Sequence, residues 1–267
     1  MSDRDGSGDA KPPRPTLGLP SLSVPGRAPR ANAPAGQAPV EGPAKTSRTA
    51  QQLVDELVAL YREQVQRSLK VELDDTETSL AFVDHHLRTA SGEGRSQILS
   101  LLAASGGAYY GELVRTILGG TWIGDGQDPR RLRLLMQYQF IYFSPVDQAL
   151  EAIAGESLDL DDPRLRGMDR FDPAFRLEPL PVGEPPPTED DHDGVWLSAR
   201  LSELPSVPED QYVSLTCRFE TLRLMHELLA TKHAAAGRSP VELGVEDYLD
   251  ALAREAQAAN AADPGLN

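Results

Sequence analysis

Cysteine is nearly missing from the 267-residue chain: Cys217 stands alone. No intrachain disulfide can form, no multi-cysteine metal site can be built, and a reducing compartment fits. Long apolar runs are missing too. Nothing approaches eighteen consecutive apolar residues, no apolar stretch follows Met1, and Ser2 in second position gives no lipidation signal. We therefore expect neither an export signal nor a membrane span, and a cytoplasmic location. Basic charge is in short supply: the formal net charge is −15 and the pI about 4.7. A surface that acidic repels phosphate backbones and anionic lipid. Arg130, Arg131 and Arg133 cluster, but beside Asp125 and Asp128, so neither nucleic acid nor membrane is an expected partner. No internal repeat is present.

Composition, 40% hydrophobic and 25% charged, is that of a globular chain. Residues 1–46 differ. They are rich in Pro, Gly, Ala and Ser and lack aromatics, so they cannot bury enough apolar surface to offset their ordering entropy. A disordered tail is expected there. Its net charge of +2 leaves −17 on the remainder.

Hydrophobic periodicity organises the rest. Val54, Leu57, Val58, Tyr61, Val65 and Leu69 share one helical face, in a helix starting near Ser47 or Thr49. Asp74 and Glu77 have the spacing of a capping box before the stripe Leu80, Val83, Leu87. A third helix is expected from about Gly94 to Leu118. Its line of small residues, Ala103, Gly107 and Gly111, suits close approach of another backbone, and Gly119-Gly120 sits where a left-handed cap belongs. The period then changes to two: a short strand at 121–125, and two strands within 131–142 broken near Gln137. Ser144, Pro145 and Gly155 punctuate a fourth helix as N-cap, first residue and stop.

Residues 157–207 read as an irregular linker whose first half, with Leu158, Leu165, Phe171, Phe175 and Leu177, drapes over the core. Beyond it a long helix carries Tyr212, Leu215, Phe219, Leu222, His226 and Leu229 on one side. Val213, Cys217, Leu224 and Leu228 lie on another, the pattern of a central buried helix. An alanine-rich helix near 239–259 closes the chain. The expected fold class is α+β: three N-terminal helices, a small antiparallel sheet of about three strands, a returning helix, and two C-terminal helices. The expected divisions are a tail at 1–46, a core at 47–156, the linker at 157–207 and a helical pair at 208–260 that packs on the core.

The run Gly107-Ala-Tyr109-Tyr-Gly111-Glu112, then Gly119-Gly120-x-Trp122, then a strand pair and the helix at Pro145, resembles uncharacterised bacterial domains with a G-x-Y-x-G-E…G-G-x-W core. The resemblance covers about residues 95–155. It implies a small α+β domain in a bacterial protein and carries no known catalytic activity.

Few residues suggest chemistry. Glu112 is the one acid of the glycine-rich segment. It reads either as a general base or as the partner of Arg115 and of the Trp122 indole. His85 and His86 are adjacent and point about 100° apart on a helix, so they cannot share a metal. His226 and His233 are two turns apart. A calcium loop beginning at Asp159 would need glycine and glutamate where Arg164 and Arg170 stand. No serine lies in a Gly-x-Ser-x-Gly turn, and no strand–glycine loop–helix order offers a phosphate cradle. No metal site and no cofactor are expected. These features favour a non-catalytic module that binds another protein, as adapters, chaperone-like proteins and immunity proteins do. The alternative is an enzyme in which Glu112, Tyr109 and His86 or His226 converge on one pocket.

Overall fold

The first helix, α1 (Ala50–Leu69), begins in a full capping box: Thr49 Oγ1 accepts from Gln52 N, and the Gln52 side chain returns to Thr49 N. The computed structural model describes residues 48–92, 95–165, 171–179 and 192–262, with side chains through Arg254. The tail expected over 1–46 lies outside the described residues, as does most of the segment around 180–191.

Before α2 (Ser79–Thr89), the expected Asp74–Glu77 box does not form, and Thr78 at the N-cap makes no side-chain bond. Asp74 instead accepts from Thr76 Oγ1 (2.7 Å) and Ser79 Oγ (2.6 Å), holding the turn that enters the helix. Glu77 reaches across to Arg223 at 3.0 Å. Helix α3 (Ser96–Leu118) runs through the centre of the core, with every residue from Leu102 to Gly111 buried. Gly119 ends it at φ 80° and ψ 144°. That is not the left-handed helical cap the sequence suggests. It is an extended glycine conformation that turns the chain at once into β1 (Gly120–Ile123).

Strand β2 (Arg133–Met136) pairs antiparallel with β1, Trp122 opposite Leu134, and β3 (Ile141–Phe143) pairs antiparallel with β2, Leu134 opposite Phe143. The break falls at 137–140, around the glutamine that interrupts the alternation. A fourth strand, β4 (Arg176–Leu177), lies in the segment that drapes over the core and gives the order β1-β2-β3-β4. Between β3 and β4 comes α4 (Pro145–Ala154), capped by Ser144 Oγ, started by Pro145 and stopped by Gly155 at φ 74°. A methyl group at Gly107 would lie 2.6 Å from the Pro145 carbonyl oxygen and 2.7 Å from Val146 Cα, so α3 and α4 touch backbone to backbone there. Gly111 answers a different need. Its added carbon would meet the Trp122 ring at 2.4 Å and the Pro145 ring at 2.8 Å, so it makes room for side chains.

The stretch expected to be irregular up to 207 contains α5 (Asp193–Ser202), which His192 caps through Nδ1 and Gly194 N. The next expected helix is divided. A short α6 (Glu209–Tyr212) precedes α7 (Leu215–Ala235), and Tyr212 is exposed rather than part of the buried stripe. Helix α7 buries one face, Leu215, Phe219, Leu222, Met225 and Leu229, while Cys217, Leu224 and Leu228 are half-buried. The apolar residues on its second side thus cover its flank and do not make it a central helix. The buried carboxylate of Asp84 on α2 accepts from Leu215 N (2.7 Å), Thr216 N (3.1 Å) and Thr216 Oγ1 (2.6 Å), an anion on the positive end of α7. The last helix, α8 (Val245–Ala262), starts after Gly244, six residues later than its alanine-rich composition suggests. The fold is α+β.

Candidate functional site

Among the described residues the candidate side chains fall into three separate clusters. The first is around Glu112 on α3. Its carboxylate accepts from Arg115 Nε (2.9 Å) and Nη2 (2.7 Å), from the Trp122 indole Nε1 (3.0 Å), and at 3.5 Å from Gln51 Nε2. Burial pushes its pKa up, but the bonds from Arg115, Trp122 and Gln51 outweigh that and hold it below the ordinary glutamate value. A carboxylate held ionised by several donors is a weak base. Glu112 anchors the α3–β1 turn, tying Trp122 of the strand and Arg115 of the helix to one side chain.

The second cluster joins α1, α2 and α3. His86 Nδ1 lies 3.3 Å from the Tyr61 hydroxyl, and the Tyr61 and Tyr109 rings are 5.8 Å apart. Burial lowers the His86 pKa, with help from His85, and burial raises that of Tyr109 to about 12. The Tyr109 hydroxyl has no hydrogen-bond partner among the described residues. His86 and Tyr109 are thus brought near one another through Tyr61, but Glu112 makes its hydrogen bonds elsewhere, and His226 belongs to a third place.

That third place is a cleft of about 1400 Å³ walled by α7, by the β2–β3 turn, and by the start of α8 with the segment before it. Tyr138, Phe140, His226, His233, Val241 and Ala251 all line it. Tyr138 is 42% exposed and Val241 66% exposed, so its apolar mouth is open to solvent. On one wall the Asp193 carboxylate binds His233 Nε2 at 2.6 Å and Lys232 Nζ at 3.0 Å, tying the start of α5 to the end of α7. Burial raises the Asp193 pKa, but the bonds from Lys232 and His233 prevail and lower it. His226 Nε2 has no partner among the described residues, and burial lowers the His226 pKa to about 4, so its imidazole is neutral at pH 7. Carboxylates outnumber arginines in its lining, with Glu178, Asp193, Glu227, Asp247 and Asp250 against Arg238 and Arg254. No group of three or more His, Cys, Asp or Glu side chains among the described residues could hold a metal ion.

A smaller apolar cleft of about 510 Å³ lies on the other flank of α8, between Ile123, Leu135 and Tyr142 of the sheet and Leu249 and Leu252 of the helix. Between the two clefts stands Tyr248. Its hydroxyl is 2.8 Å from Met136 O, 2.9 Å from Gln139 O and 3.0 Å from Ile141 O, and it accepts from Ile141 N at 3.1 Å. The ring stacks on Phe140 at 4.2 Å and meets Tyr142 edge-on at 6.2 Å. Tyr248 carries no expectation from the sequence, although one signal was present: it is the single aromatic in an alanine-rich helix.

No helix among the described residues is long and apolar enough to cross a membrane. No family model, curated protein or solved structure matches the chain.

Proposed function

We propose that this chain is a non-catalytic protein-binding module, adapter-like, chaperone-like or immunity-like, that takes hold of its partner through the clefts beside α8. One observation carries the reading. The larger cleft, at about 1400 Å³, exceeds the ~300–1,000 Å³ usual for small-molecule sites, and its mouth exposes Tyr138 and Val241, side chains that water does not favour. The carboxylates on its rim and a net charge of −15 select a partner of opposite charge and repel nucleic acid. A bacterial cytoplasmic setting is part of the proposal, supported by the motif at residues 107–122 and by the single cysteine. The test is affinity capture from host lysate with the wild-type chain and with Val241→Asp, whose exposed position leaves the fold intact. A protein retained by the wild type and lost with the variant supports the reading. Equal capture by both, or none by either, overturns it.

A second reading, an enzyme, has one observation of its own. Asp193 orients His233 on the cleft wall, as a carboxylate orients a general-base imidazole. A metabolite that raised the melting temperature of the wild type but not of His233→Gln would favour it.

A further inference from the structure

The described part of helix α8 is sparsely seated on its own protein. Of its described side chains only Tyr248 and Ala251 are buried, Val245 and Leu252 are half-buried, and Leu249 is 50% exposed. Clefts open along both flanks, about 1400 Å³ on the α7 side and about 510 Å³ on the sheet side. Close packing is the norm in protein interiors, so the described part of the helix, between two voids, is seated chiefly through Tyr248 and Ala251.

The Tyr248 contact has a definite chemistry. The seat is made of backbone: three carbonyls (Met136, Gln139 and Ile141) and one N–H (Ile141) converge on a single hydroxyl. A phenol both donates and accepts from the end of a rigid ring, and Phe140 and Tyr142 hold that ring by stacking and edge contact. Tryptophan offers only a donor, and serine is too short. Val245, Tyr248 and Leu252 recur at i, i+3 and i+7, the spacing by which an amphipathic helix is read in a groove.

We infer that the groove over β2, β3 and α7 is a docking site for an amphipathic helix bearing a tyrosine anchor, that α8 is its resident occupant, and that a partner helix with the same tyrosine-anchored apolar face, but with cations where α8 carries Glu246, Asp247 and Asp250, displaces it. The identity of that partner rests on the protein-binding reading above; the groove and its occupant do not. Residues 236–244 join α7 to α8 through a turn and then without regular secondary structure. Nine residues reach roughly 30–32 Å when extended, enough to carry α8 clear of the groove. One backbone bond, Leu243 N to Gln137 O at 2.7 Å, ties this connector to the β2–β3 turn. A tethered occupant competes at an effective concentration of order millimolar, so an incoming helix must exceed α8 in contacts, and the two flanking clefts supply the room for larger side chains.

The test uses the full chain and a fluorescein-labelled peptide with the sequence of residues 243–254, followed by fluorescence anisotropy. The wild type, its groove filled, should bind the peptide at least about 10-fold more weakly than Tyr248→Ala, whose own helix has lost its anchor. Tyr248→Phe, which keeps the ring and loses the hydroxyl, should fall between them. A peptide with phenylalanine in place of its tyrosine should bind Tyr248→Ala about 10-fold more weakly than the native peptide. Equal affinity for all three proteins, or no binding by folded variants, overturns the proposal. So does failure of both variants to fold, which would make Tyr248 part of the core. A concentration-dependent wild-type dimer that Tyr248→Ala abolishes would assign the groove to exchange of α8 between copies instead. If the peptide behaves as expected but host lysate yields no partner, the groove stands and the protein-binding reading fails.

Discussion

The α3–α4 interface and the seat of α8 use the same materials, a helix against a neighbour, with opposite consequences. At α3–α4 two backbones touch at Gly107, Trp122 fills the space over Gly111, and buried residues extend without a gap from Leu102 to Gly111. At α8 one phenol reaches into backbone carbonyls while clefts lie open on either flank. Gaps remove dispersion partners and leave apolar surface in water. Interior glycine costs about 0.5–1 kcal/mol against alanine, and in α3 the close contact returns it. The first interface is therefore a permanent part of the folding unit, and the second is one that a competitor can enter.

The largest effect is expected beside that first interface, where α4 meets α7 around a buried charge. Glu151 of α4 and Arg218 of α7 form a buried ion pair, with Arg218 also donating to Pro173 O at 2.8 Å and Glu151 accepting from Leu158 N at 3.0 Å. Arg218→Met should cost about 3–5 kcal/mol in urea unfolding, because it strands the Glu151 charge, and adding Glu151→Leu should recover most of that loss. Next comes Gly107→Ala, expected to cost about 1–3 kcal/mol through overpacking, since the new methyl meets backbone that cannot step aside. An unchanged midpoint would mean that α4 shifts freely, and the contrast with α8 would dissolve.

Glu112→Gln should cost about 1 kcal/mol. The amide oxygen still accepts from Trp122, but the two-pronged bond to Arg115 is lost. A variant more stable than wild type would argue that the carboxylate is strained, as a catalytic base is.

The smallest effect is expected at His226, on the wall shared with α8. Its folded pKa of about 4 lies below the ordinary histidine value of 6.5, so between those values the unfolded chain binds more protons. Its contribution is present above pH 6.5 and is lost as pH falls toward about 4. His226→Leu should leave stability at pH 7 within about 1 kcal/mol of wild type, because it removes a partnerless buried nitrogen. It should also flatten the acid limb of the stability curve between those pH values. Equal acid sensitivity in both proteins would place the effect on other groups.

Much of the permanent region was legible in the sequence, since it is written in side-chain period and local punctuation. Ser144, Pro145 and Gly155 bracket α4 as their chemistry demands, Gln137 marks the strand break, and Arg115 and Trp122 were foreseeable partners for Glu112. Strand β4 has two residues, too few for any period to show, and the capping role of Asp84 at α7 spans 131 residues of sequence. The displaceable region was illegible for a further reason. Tyr248 is bound by main-chain carbonyls of residues 136–141, and a backbone acceptor carries no residue type to read. The cleft itself joins elements from Tyr138 to Arg254, and only the tertiary structure assembles it.

Native-state hydrogen exchange on the wild-type chain tests the contrast most directly. Amides of residues 249–254 in α8 should exchange about 100-fold or more faster than those of residues 102–114 in α3, through an opening that low urea scarcely affects, as local detachment exposes little surface. If the two sets show the same protection and the same urea dependence, α8 opens only when the whole molecule unfolds, and it is no displaceable occupant.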